Sequence, residues 1–205
     1  VDHGLVADAE RLSAMFIQPS KELAITPAAR EASCRWAGRT ERWSMLALAS
    51  ESESPESDSL SRTISVERLF AEALMQTGRA AETRPWWDHL VDDRGADDFA
   101  TLLRCAETET SLGSDADLAA ARINAARAVA GDSGFRLTLV DLLDAELAIR
   151  RLQLPQARSL LERVVRAGET DAGLRARAQW LIGETHYLQQ DFAQAIEAYR
   201  RVEGI

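Results

Sequence analysis

The sequence lacks the features that mark several large classes of protein. Its 205 residues contain no apolar run close to the ~20 residues of a membrane-spanning helix, so we expect no direct insertion into a membrane. A single lysine, Lys21, and a net charge of −9 argue against a nucleic-acid partner. The two cysteines, Cys34 and Cys105, have no metal-binding or redox spacing, and we predict two buried thiols rather than a disulfide.

Signatures of catalysis and of cofactor binding are also missing from the sequence. His3, His89 and His186 lie in separate segments, and none belongs to an HExxH or Cys/His motif. No glycine-rich phosphate loop follows a strand, and no serine lies in a G-x-S-x-G motif. We therefore predict that the chain is not an enzyme and that it binds neither a cofactor nor a metal.

The composition favours helices, because alanine, leucine, glutamate and arginine dominate and alternating β-branched runs are absent. Gly113 and Gly168 are predicted to end helices, and Ser114 and Asp171 to cap the next ones. Residues 50–63, rich in serine and glutamate, predict a solvated loop, with a phosphorylated or regulatory segment as the alternative. The predicted fold class is all-α, with helices over residues 4–17, 27–37, 40–49, 65–77, 84–92, 97–112, 115–130, 133–152, 155–167, 171–190 and 192–203.

A helical stripe recurs along the chain at a nearly fixed interval of 38 residues. Its members are small or apolar residues at helical spacing, and each set follows another amphipathic helix. Such a hairpin cannot bury its apolar face alone and has to stack on its neighbours. From the C-terminus, the four sets are Ala195, Tyr199 and Val202; Ala157, Leu161 and Val164; Ala119, Ile123 and Ala126; and, 36 residues earlier, Thr83, Trp87 and Leu90.

The last unit, "QWLIGETHYLQQDFAQAIEAYRRV", resembles the tetratricopeptide repeat family. Gly183 stands where the first helix needs a residue without a side chain, Ala195 fills the facing small position, and Phe192 follows the turn as an aromatic plug. The resemblance implies an α-solenoid of antiparallel helix pairs, with an N-terminal helical part at 1–63 and repeats at about 64–99, 100–137, 138–175 and 176–205. Asp141 and Asp144 depart from the family pattern, since they fall where it buries apolar residues; either the register shifts by one residue there or the helix is rotated.

In this family the first helix of each pair lines a concave face, which the resemblance makes the expected binding surface for a peptide or a partner helix. The alternative is that the residues at these positions are only solvated or form intrahelical Glu–Arg pairs, without binding a partner. A clamp of Lys, Arg and Asn for a C-terminal carboxylate is missing. The projected groove residues are Arg68, Glu72, Arg104, Thr108, Leu142, Glu146, Ile149, Arg150, Arg177, Trp180, Glu184 and Tyr187.

Two adjacent tryptophans, Trp86 and Trp87, point about 100° apart on a helix and can both be buried only in a wide interface. In the structural interpretation, both side chains fill the interface between the N-terminal helices and the repeats. The functional alternative leaves one of them exposed as an anchor for a partner.

The sequence therefore predicts a non-catalytic scaffold for a protein or peptide partner. The alternatives are a spacer that forms homo-oligomers through an uncapped C-terminal repeat, or the non-catalytic part of a multidomain enzyme. The chain begins without Met and ends directly after its best repeat, so we expect a fragment of a longer protein. The last repeat also resembles repeats of bacterial cell-envelope assembly proteins, which favours the periplasm or envelope over the cytoplasm.

Overall fold

A computed structural model describes residues 32, 34, 35, 37, 38, 41, 43–51, 64–93, 95–168 and 171–204. Every regular element in this part of the chain is a helix, which confirms the all-α prediction. The predicted helix at 4–17, most of 27–37 and most of the loop at 50–63 lie outside the described residues. The α-helices are α1 (Trp43–Glu51), α2 (Ile64–Gln76), α3 (Ala80–Asp88), α4 (Phe99–Leu112), α5 (Ala116–Ala130), α6 (Gly134–Arg150), α7 (Leu154–Arg166), α8 (Ala172–Leu188) and α9 (Phe192–Val202).

The chain divides into two compact units, Val1–Asp97 and Asp98–Ile205. In the first unit α1 packs against α2 and α2 against α3, which continues into a π-helical segment, His89–Asp93. In the second unit each helix from α4 to α9 packs against the next one in the chain.

The predicted boundaries of the helices in the second unit agree with the structure to within about two residues, whereas α3 begins four residues earlier than predicted. The predicted start at residue 84 lies inside this helix, and so does Pro85. The helix starts directly after Gly78, which has a positive φ of 77°, and Arg79 Nε donates to Glu82 Oε1 at 2.7 Å across the first turn. A glycine turn and a local ion pair therefore determine the start of α3.

The predicted helix caps are correct at two positions and wrong at two. Asp171 accepts a hydrogen bond from the amide of Leu174, and Gly113 ends α4 in the left-handed conformation, as predicted. The cap of α5 is Asp115 rather than Ser114, because its carboxylate accepts from two amides of the first turn. Gly168 does not cap α7, since the extended residue Ala167 already ends that helix.

One turn geometry closes α2, α6 and α8. The turns are centred on Gly78, Leu152 and Gln190, which all have positive φ angles. In each turn the next amide donates to the carbonyl five residues before it, at 2.8 to 3.0 Å, which is the Schellman arrangement. Leu152 and Gln190 are 38 residues apart, so the backbone repeats with the interval of the side-chain stripe.

The predicted stripe lies on α3 with the π-helical segment after it, and on α5, α7 and α9. Its members are buried, except that Tyr199 and Val202 are partly buried. In α7 its residues Leu161 and Val164 belong to a cluster with Ala145 of α6 and Ala178 of α8. The close approach predicted at Gly183 is also confirmed, because a β-carbon built there would lie 2.3 Å from the Tyr199 ring. Phe192 is not the expected plug: it is 54% exposed and its ring lies edge-on to Tyr187 at the surface.

Asp141 and Asp144, for which the resemblance led us to expect apolar residues, lie in an ion-pair network. Asp141 is buried, and its two oxygens accept from Arg127 of α5 at 2.6 Å and from Arg163 of α7 at 2.9 Å. Asp144 accepts from the same Arg127 at 2.8 Å. Charge pairing therefore connects α5, α6 and α7 at these positions.

The adjacent tryptophans of α3 and the two cysteines are packing residues. Trp86 and Trp87 are both buried, and Trp86 packs edge-on against Phe70 with ring centroids 5.3 Å apart. The prediction that one tryptophan is exposed as a partner anchor is therefore wrong. Cys34 and Cys105 are both buried thiols, which confirms the prediction that they form no disulfide.

Candidate functional site

The second unit contains a groove of about 390 Å³ between α6 and α8. Its apolar floor includes Ile149 and Leu181, and its walls carry charged side chains. Six of the projected groove residues meet there, together with Leu181, which the projection missed. The lining residues are Glu146, Ile149, Arg150, Arg177, Trp180, Leu181 and Glu184.

Helical spacing explains why these side chains converge. Arg177, Trp180 and Glu184 are three and four residues apart, so they share one face of α8. Glu146, Ile149 and Arg150 have the same spacing on α6. The floor exists because the adjacent positions of both helices pack into the core cluster with α7.

Glu146 and Arg177 form an ion pair across the groove, with Arg177 Nη2 2.5 Å from Glu146 Oε1. The glutamate side chain is mostly buried, whereas the arginine is more than half exposed. Burial raises the pKa of Glu146 above its usual range, and the nearby Arg177 offsets only part of this effect. The groove therefore contains a carboxylate whose negative charge is incompletely compensated.

Arg150 extends from α6 towards the end of α4. Its Nη2 donates to the carbonyl of Ser111 at 3.3 Å, in the last turn of α4. A cation at a helix C-terminus interacts favourably with the unpaired carbonyls and the helix dipole. The charge of Arg150 is thus partly engaged by the fold.

Trp180 is a large apolar side chain that lines the groove, and 49% of its surface is exposed. Exposed tryptophans in a concave site with a polar rim are typical anchors of protein interfaces. Its neighbours on α8, Gln179 and Leu181, are buried.

Glu184 lies one turn beyond Trp180 and accepts a hydrogen bond of 2.6 Å from the Tyr199 hydroxyl of α9. Burial, followed by this hydrogen bond and the charge of Glu184, raises the pKa of Tyr199 to about 12. Tyr199 therefore remains a neutral donor at physiological pH. The stripe pattern predicts a packing role for Tyr199, and it gives no sign of the hydrogen bond to Glu184.

The other projected residues do not line this groove. Tyr187 is exposed and contacts Phe192, and Arg104 lies on α4 with Glu107 2.7 Å from its guanidinium. Thr108 and Leu142 are buried, so their projection into the groove is wrong: Thr108 donates to the Arg104 carbonyl and Leu142 belongs to the core cluster. Arg68 and Glu72 lie on α2 in the first unit, where Glu72 accepts from Gln76 at 3.0 Å.

The two described histidines take part in local contacts. His89 Nδ1 lies 2.9 Å from Asp93 Oδ2, and His186 Nδ1 lies 3.2 Å from Arg158 Nη1. Within the part of the chain that the structure describes, we find no group of three His, Cys, Asp or Glu side chains that could hold a metal ion. No helix in the same residues combines the length and the apolar character needed to cross a membrane.

A second surface feature lies where α8 turns into α9. Leu188, Phe192 and Ile196 are each about half exposed, and Phe192 and Ile196 are one turn apart on α9. In the 38-residue stripe interval, Ile196 corresponds to Arg158, which donates to Gln189, the residue after α8, at 2.8 Å. The apolar side chains on α9 are therefore an exposed patch of the kind found at protein interfaces.

Comparison with protein-family models gives no match for this chain, and comparison with curated proteins gives no significant relative.

Proposed function

We propose that this protein is a non-catalytic scaffold that binds a segment of another protein in the groove between α6 and α8. The observation that carries the proposal is the convergence of six projected residues in one groove around a half-exposed tryptophan. The groove has an apolar floor and a charged rim, as do sites that recognise an extended peptide or an amphipathic helix.

The proposal includes an α-solenoid of antiparallel helix pairs that resembles tetratricopeptide repeats. Two features support it: the buried stripe and the Schellman turns both recur, at an interval of 38 residues between Leu152 and Gln190. Short turns followed by a second helix favour antiparallel neighbours. In such an array α6 and α8 are the first helices of consecutive pairs, and their exposed sides form one continuous binding surface.

The lining of the groove favours recognition over catalysis. It contains no histidine, cysteine, serine or lysine, so Glu146 and Glu184 are the groups in the lining that could act as bases or nucleophiles. One of its two carboxylates is paired with Arg177, and the other accepts from Tyr199. These contacts favour holding the groove in shape rather than transferring protons.

Selection of binding peptides tests this proposal. Twelve-residue peptides are selected from a random display library on the wild-type protein, and their Kd is measured by fluorescence anisotropy. We expect Trp180→Ala to weaken the selected peptides at least about tenfold, because a buried aromatic anchor contributes much of the binding energy. The free energy of unfolding should change by less than about 1 kcal/mol, since half of the side chain is already exposed.

Phe135→Ala is the matched control, because Phe135 is another half-exposed aromatic residue of the second unit and lies outside the groove. It should leave peptide binding unchanged. The proposal fails if Trp180→Ala leaves the affinities unchanged, and a large loss of stability in that variant would identify Trp180 as a packing residue.

The exposed patch of Leu188, Phe192 and Ile196 favours a second candidate function, that of a spacer that oligomerises through α9. If this is correct, sedimentation velocity at tens of micromolar should detect dimers or larger species. Ile196→Glu should return the protein to a monomer, because a charge would be buried at the contact. A wild-type protein that is already monomeric at this concentration would exclude the spacer.

A further inference from the structure

The charged side chains around the groove differ in the partners that they contact. Arg177 is paired with Glu146, and Arg150 donates to a carbonyl of α4. Glu184, in contrast, has a single partner among the described residues, the neutral hydroxyl of Tyr199. One carboxylate oxygen of Glu184 accepts that bond, so the other remains available to a ligand.

The surroundings of Glu184 on α8 are aromatic. Trp180 lies one turn before it and Tyr187 one turn after it, and both rings are about half exposed. The face of an indole or phenol ring attracts cations through its quadrupole, and a carboxylate one helical turn away adds a charge-assisted hydrogen bond. Trp180, Glu184 and Tyr187 thus form a stripe of aromatic, acidic and aromatic side chains.

We propose that the partner segment inserts an arginine or lysine side chain into this stripe, where the cation lies on the Trp180 ring and pairs with Glu184. This inference rests on the proposed function, and it adds the chemistry of the partner. A basic segment also suits the acidic chain as a whole, whose net charge of −9 attracts cations over a longer range.

An acidic partner fits the groove less well. A carboxylate of the partner would compete for Arg177 with Glu146, which is mostly buried and has Arg177 as its counter-charge. A cation has the opposite effect, because it adds positive charge near a carboxylate whose pKa burial already raises. The electrostatics of both carboxylates therefore favour a basic side chain.

A peptide series tests the inference. The probes are three fluorescein-labelled twelve-residue peptides of alanine and leucine that carry four arginines, four citrullines or four glutamates. Citrulline has the shape of arginine without its charge. We expect the arginine peptide to bind the wild-type protein about tenfold more tightly than the citrulline peptide, and the glutamate peptide most weakly.

Glu184→Gln should remove most of the preference for arginine over citrulline. Glu197→Gln is the matched control, because it removes the same charge from an exposed residue of α9 outside the groove. The preference should also weaken in Trp180→Ala, and the fold should be unaffected by all three substitutions according to circular dichroism.

Each other outcome rejects a defined part of the account. Equal binding of the arginine and citrulline peptides, with both weakened by Trp180→Ala, would reject the cation inference and leave the groove function intact. If Glu184→Gln and Glu197→Gln lowered the preference for the arginine peptide equally, the preference would come from the overall negative charge of the protein and not from Glu184. If no probe binds with a Kd below about 1 mM and the library yields no peptide that depends on Trp180, the groove function and the inference both fail.

Discussion

Replacing Gly183 with leucine is expected to destabilise the fold by about 3 kcal/mol, because the new side chain has no space between α8 and α9. A β-carbon at this position would lie 2.3 Å from Cε1 and 2.6 Å from Cδ1 of Tyr199. Such distances force the Tyr199 ring, and with it α9, away from α8. Urea unfolding followed by circular dichroism measures the effect.

A double-mutant cycle shows whether Tyr199 causes this loss. In a Tyr199→Ala background the ring is absent, and Gly183→Ala should then cost little or even stabilise α8, since alanine has a higher helix propensity than glycine by about 1 kcal/mol. In the wild-type background the same substitution should be destabilising. Equal effects of Gly183→Ala in the two backgrounds would show that the contact with Tyr199 does not require the glycine.

Asp141→Ala is expected to cost about 3 kcal/mol, because the substitution leaves Arg127 and Arg163 without the buried carboxylate that both contact. Asp144→Ala is the matched control on the same helix. It removes a partner of Arg127 that is more exposed than Asp141, and it should cost about 1 kcal/mol or less. Equilibrium unfolding in urea compares the two variants directly.

Replacing both sides of the pair should recover much of the lost stability. In Asp141→Leu with Arg127→Leu the charges that lose a partner are Asp144 and Arg163, which are both more exposed than Asp141. Apolar groups of similar size often replace an ion pair without loss. The network would be unimportant for stability if Asp141→Ala cost no more than Asp144→Ala. Both results would be independent of peptide binding, because neither aspartate lines the groove.

The sequence predicts most of the described helices and the side chains that share one face of a helix, because both depend on the periodicity of single helices. Spacings of three and four residues place Arg177, Trp180 and Glu184 on one face of α8, and no knowledge of neighbouring helices is needed for this step. The buried stripe is predictable for the same reason. Glycine and aspartate also identify helix ends where their conformational or hydrogen-bonding properties are required, as at Gly113 and Asp171.

Contacts between helices are not predictable in this way, because they depend on how far each helix is rotated and shifted against its neighbours. This explains the wrong projection of Thr108 and Leu142, and also the missed bond between Tyr199 and Glu184. Asp141 is buried because Arg127 and Arg163 reach it from two other helices, which no local pattern reports.

Some turns also escape prediction because they do not use the expected residue type. Leu152 and Gln190 have left-handed backbone conformations that glycine adopts more easily. The sequence signal for the repeated turn is therefore weak, although the turn itself recurs at the predicted interval. The tertiary contacts of the flanking helices compensate for the local cost.

The most direct test of the central claim, that the groove between α6 and α8 binds a protein segment, is a nitrogen–proton NMR titration with a library-selected peptide. The account predicts that the Trp180 indole resonance and the amides near Glu146, Ile149 and Glu184 shift first and saturate together. The amides around Phe192 and Ile196 should stay unchanged in the same titration. Shifts confined to the α9 patch, with the Trp180 indole unmoved, would contradict the account.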